Sequence, residues 1–117
     1  MNPLAPGSLL GQVRPSSTAS TTAYTATLET EITQIKVCNT SGAGRTFRLF
    51  HDDDGTTYDE TTALHWDETI NSNTTTSIQA QEIGGGISVK KDGTIGVKAD
   101  AANGLTFSLY GIVRAAR

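Results

Sequence analysis

Cysteine is almost missing from this chain. Cys38 stands alone among 117 residues, so no internal disulfide can form. That excludes a small disulfide-built scaffold and fits a reducing site of synthesis such as a bacterial cytoplasm. Long apolar runs are missing as well: nothing approaches the roughly 20 consecutive apolar residues of a membrane-spanning helix. The opening MNPLAPGSLLGQVR has neither a basic leader nor a continuous apolar segment, so we do not expect a signal peptide. Positive charge is sparse, with 9 Lys and Arg against 12 Asp and Glu for a net charge of −3. The basic residues are scattered and form no stripe that could follow a phosphate backbone, so nucleic acid is not an expected partner. Strong helix formers are few: one Met, four Lys and five Glu. No window of about a dozen residues repeats apolar positions at helical spacing without Gly, Thr or Asn interrupting it.

What the chain does have is threonine, at 19 positions, and glycine, at 12. Threonine is stiff at Cβ and suits a pleated strand, and glycine punctuates turns. The fold class expected is therefore all-β. Domains commonly run about 100–150 residues, so one domain is expected. Residues 1–8 contain Pro3, Pro6 and Gly7, with Leu4 as the only large aliphatic side chain. They are read as an extended arm, and residues 9–117 as the folded domain.

Alternation places the strands. Segments 9–14, 21–28 and 32–38 come first, with Ile35 and Val37 sharing a face of the third. Residues 39–44 (NTSGAG) are turn formers. In 45–51, Phe47, Leu49 and His51 point one way and Thr46, Arg48 and Phe50 the other. An acidic loop over 52–62 precedes 64–70, where Leu64, Trp66 and Ile70 share a face, and then 74–81. Ile83 leads into Gly84-Gly85-Gly86. Ile87 and Val89 then face inward, Lys91-Asp92-Gly93 turns, and Ile95 and Val97 return. An Asp-Gly pair between alternating runs is a hairpin signal. The last strand, 105–113, carries Leu105, Phe107 and Leu109 on one face and Tyr110 and Ile112 on the other, which places it centrally. Eight or nine antiparallel strands at this spacing predict a β-sandwich, of which the jelly roll is one form.

Three groupings could carry chemistry. Asp52-Asp53-Asp54-Gly55, with Asp59 and Glu60, invites calcium, which takes six to eight oxygens. The spacing departs from an EF-hand loop, because Gly55 comes too early and Ala63 occupies the twelfth position. The acidic run reads better as aspartates capping their own turns, and no metal is expected. His51 and His65 lack a third ligand at a telling spacing. Asp67 is placed on the His65 face, opposite Trp66. No G-x-S-x-G elbow is present, and the Gly84–Gly86 triplet lacks the Lys-Ser/Thr of a phosphate loop. No catalytic residue and no cofactor are expected. Trp66 and Tyr58 could stack a sugar, as in carbohydrate-binding modules, although sharing a face with Leu64 and Ile70 puts Trp66 in the core.

Two stretches resemble a known family. Residues 32–67 (ITQIKVCNTSGAGRTFRLFHDDDGTTYDETTALHWD) and 90–111 (KKDGTIGVKADAANGLTFSLYG) are similar to small virion proteins of tailed bacteriophages. In that family a GQVRP-like strand precedes an ICNT…G…F core ending HDDDGTTYD, and a TIGV…LTF…YG hairpin closes the domain. The resemblance spans residues 11–111 and brings no catalytic residues. It implies a β-sandwich, trimeric packing of copies of the chain and a place in the virion. The role it implies is a capsid decoration (cement) protein on the major capsid protein, or else a tail, baseplate or fibre component. Decoration would act by linkage, since a ligand that binds only the assembled lattice stabilises it. The candidate interface comprises Leu4, Leu9 and Leu10 as apolar anchors, with Arg14, Arg114 and Arg117.

Overall fold

A computed structural model describes residues 8–79 and 87–113. These form nine strands: β1 (Ser8–Val13), β2 (Thr21–Thr25), β3 (Thr30–Asn39), β4 (Arg45–Asp52), β5 (Ala63–Ile70), β6 (Thr75–Gln79), β7 (Ile87–Val89), β8 (Thr94–Ala99) and β9 (Leu105–Val113). Among the described residues there is no helix. Every pairing is antiparallel. Sheet A runs β1-β9-β3-β6, with β7 also on β3, and sheet B runs β2-β8-β4-β5. Ser8, read from the sequence as part of the arm, pairs with Gly111 and belongs to β1. The strands pair from the outside inward and alternate between sheets: β1 with β9, β2 with β8, β3 with β6 and β7, β4 with β5.

The alternation read from the sequence is what fills the space between the sheets. Leu105, Phe107 and Leu109 of β9 are buried, as are Ile32, Ile35 and Val37 of β3 and, across the gap, Phe47, Leu49, Ile95 and Val97 of sheet B. Phe107 and Phe47 meet edge to face, with centroids 5.9 Å apart and planes at 73°. Each fully buried side chain of this size contributes roughly 1.5–3 kcal/mol. The inward parity of β3 changes between Ile32 and Ile35 because Thr33 is an extra residue between the Ile32–Gly111 and Gln34–Tyr110 pairs. Opposite it stands Gly111, where a Cβ would lie 2.1 Å from the carbonyl oxygen of Glu31. As expected, β9 is central, between β1 and β3.

Two expectations need correcting. The turn after β7 exists, with Gly93 N–H donating to Lys90 O at 2.8 Å. But β7 joins sheet A and β8 joins sheet B, so the two are not a hairpin. A type I′ hairpin turn requires positive φ at both central residues, and only Asp92 has it, at 72°. Gly93 is needed for space, since a Cβ there would be 2.9 Å from Asp53 Oδ1. The second correction is Trp66, which is 41% exposed on the outer side of sheet B while Ile70 is buried. Between the Leu49–His65 and Phe47–Glu68 pairs, β5 advances three residues against two on β4. That bulge, with Asp67 at φ 54°, reverses the facing of Leu64 and Trp66 relative to Ile70. The Gly84–Gly86 triplet and Ile83 lie outside the described residues.

Candidate functional site

The acidic loop closes on itself. Asp52 Oδ1 accepts the amide of Asp54 at 3.1 Å and Oδ2 that of Thr57 at 2.8 Å. These two amides hold the Asp52 carboxyl below its ordinary value. Asp54 is pushed the other way by its hydrogen bond to Asp52 and by that residue's charge. Asp59 accepts the amide and the hydroxyl of Thr61. Asp53 Oδ1 lies 2.7 Å from His51 Nε2 and accepts the Lys90 amide at 3.3 Å, tying the loop to the turn before β8. Among the described residues, no group of three His, Cys, Asp or Glu side chains is placed to hold a metal ion. His65 is engaged separately, 3.1 Å from Glu68 Oε1. His51 and His65 thus serve different carboxylates.

The loop does something the sequence reading missed: it lays Tyr58 over the outer face of sheet B. The ring stacks on Phe50 at 5.6 Å between centroids. Its hydroxyl lies 2.7 Å from Thr22 Oγ1 on β2 and donates to Thr94 Oγ1 on β8 at 2.9 Å. Gly96 leaves the room, because a Cβ there would sit 2.5 Å from the ring. A glycine between Ile95 and Val97 was the available signal, since glycine inside a strand often marks a close approach. With its hydroxyl bonded and a face against Phe50, Tyr58 is not a free stacking platform.

Trp66 sits beside this layer. Phe50 meets it edge to face at 6.3 Å. The Arg48 guanidinium lies over the indole, 3.6 Å from its centroid. The same guanidinium donates to both Asp67 oxygens, at 2.7 and 3.2 Å. Asp67 and Trp66 therefore both engage Arg48, correcting the assignment of Asp67 to the face of His65. The hydrogen bond from Arg48, more than its charge, keeps the Asp67 carboxyl below its ordinary value. Arg48 also lines a depression of about 120 Å³, together with Thr46, Phe47, Asp67, Lys98, Ala99 and Asp100.

Of the candidate interface, Leu9, Leu10 and Arg14 are described, and the structure does not bring them to one place: Leu9 and Arg14 stand at opposite ends of β1. Leu9 is 51% exposed and pairs with Tyr110, so the two share a face. Ile112, two residues on, is exposed on that same face, and Val113 is exposed at the strand's end. Leu10 packs in part against the core. Arg14 spends two donors on the carbonyl of Asn103, at 2.6 and 3.0 Å. Leu4, Arg114 and Arg117 lie outside the described residues. No family model matches this sequence, and no curated protein does.

Proposed function

We propose that this chain is a non-enzymatic virion structural protein of a tailed bacteriophage, a decoration protein that binds a shell of major capsid protein and packs with copies of itself as a trimer. The observation that carries this reading is the end of sheet A. There the first and last described strands lie side by side, Ser8 against Gly111, and the exposed Leu9, Ile112 and Val113 cluster beside them. Apolar surface gathered on two neighbouring strands is suited to a protein partner. Two features add support. The resemblance of residues 11–111 to small virion proteins points to the particle, and we read the nested strand pairing as a jelly roll, an architecture common in viral capsid domains. Function would follow from mass action, with each bound copy favouring the assembled lattice.

The test uses capsid shells that lack the protein. Added full-length chain should cosediment with them and raise their disassembly temperature. Leu9→Asp combined with Ile112→Asp should abolish both effects while leaving the protein's own melting curve nearly unchanged, since both side chains are exposed. Shells that gain neither protein nor stability would remove the proposal.

A further inference from the structure

We propose that the outer face of sheet B is a glycan-binding site for a neutral hexopyranose chain, with Trp66 as its stacking platform and the Arg48–Asp67–Lys98–Asp100 depression as its hydroxyl-binding subsite. This goes beyond the docking role, because it uses the opposite sheet from the Leu9–Ile112 patch and stands or falls independently of it.

The argument starts from the bulge in β5. In a regular strand Trp66 and Asp67 would point to opposite faces. The extra residue and the positive φ of Asp67 bring both side chains to Arg48. Bulges recur where a side chain has to be re-aimed, and a backbone outlier in a strand is a pointer to function. The result is an indole held by two contacts, the guanidinium over its ring and Phe50 with its plane at 90° to it. Even so, Trp66 remains 41% exposed. A rigid, exposed indole is what the CH face of a pyranose ring stacks upon, with little ordering cost to the protein.

The neighbouring depression supplies the polar half. Arg48 and Lys98 are donors, Asp67 and Asp100 are acceptors, and the four carry no net charge. A sugar hydroxyl both donates and accepts, so paired donors and acceptors match it, whereas an anionic or cationic ligand would meet two like charges. Arg48 borders both parts. One ring on Trp66 and the next in the depression is therefore the arrangement expected, which favours an oligosaccharide over a single sugar.

Trp66 is the only tryptophan in the chain, so intrinsic fluorescence reports on this site alone. Full-length protein is titrated with maltoheptaose, cellohexaose, chitohexaose and mannohexaose. At least one should shift or quench the emission saturably, with Kd of about 1 mM or tighter. Asp100→Ala, which lies outside the Arg48 cage, should weaken that binding about tenfold, the worth of a hydrogen bond to a charged group. Trp66→Ala, followed by calorimetry, should abolish it. If Trp66→Ala does not fold, Asp100→Ala decides. No saturable response to any of the four sugars, or one undiminished in Asp100→Ala, overturns the proposal.

Discussion

The two sheets share one core but treat their outer faces differently. The outer face of sheet A is polar through its middle. Ser108 stands between Lys36 and Gln12, and the Gln12 amide donates to Ser108 Oγ at 2.8 Å. It turns apolar only near the chain ends. Sheet B instead carries a second layer on its outside, in which Phe50 is as buried as any core residue although it points away from the other sheet. One loop makes the difference. Residues 53–62 fold back over sheet B, and Tyr58 covers the apolar side chain that β4 presents there. An outward-facing position is thus cheap to change on one sheet and expensive on the other.

The largest effects test that contrast directly. Phe107→Ala in the shared core should cost about 3–5 kcal/mol, and Phe50→Ala on the outer face of sheet B should cost as much, both read by urea unfolding. A cost below about 1 kcal/mol for Phe50→Ala would mean that the second layer contributes little. The glycines come next. Gly111→Ala drives a Cβ against the backbone oxygen of Glu31, which cannot swing away, and should cost about 3 kcal/mol or more. Gly96→Ala meets only the Tyr58 ring and should cost about 1–3 kcal/mol. In a Tyr58→Ala background the Gly96→Ala penalty should largely vanish, whereas the Gly111→Ala penalty should not change. Equal behaviour of the two glycines would contradict the loop's role as a separate layer.

A smaller effect is the acid sensitivity of the covering loop. The Asp52 carboxyl is held below its unfolded value of about 3.9 by the amides of Asp54 and Thr57. Its contribution to stability is therefore complete above that value and is lost as pH falls through the folded one. Asp54, raised by Asp52, opposes it near neutrality and stops doing so once protonated. Asp52→Asn should flatten the fall in melting temperature on the acid side. A slope unchanged from the parent would show that these amides stabilise nothing. The smallest effect is expected at the end of sheet A: Leu9→Ser should change stability by no more than about 0.5 kcal/mol, because Leu9 is exposed.

Much of this architecture was legible in the sequence. Eight or nine strand segments, the central place of β9 and the inward residues of β4, β8 and β9, with Ile35 and Val37 of β3, follow from an alternation that acts over two residues. The position of the Asp92-Gly93 turn was legible too, but its consequence was not. Whether two strands joined by a turn pair with each other depends on which more distant strands claim them, and β3 and β4 claim β7 and β8 for different sheets. The candidate surfaces divide the same way. Ile112 could be placed outward by counting along β9, whereas Leu9 and the cage around Trp66 could not, because an extra residue in β1 and another in β5 invert the count.

By itself, then, the sequence determined the class of fold, the strand boundaries to within a few residues and most of the core outside β5, because side-chain parity is a local property of an extended chain. Only the tertiary structure decided which turn is a crossing between sheets, which face Trp66 occupies and where Tyr58 lies. Those outcomes depend on bulges and on contacts between residues far apart, such as Tyr58 with Gly96 and Arg48 with Asp67, which no short-range pattern encodes.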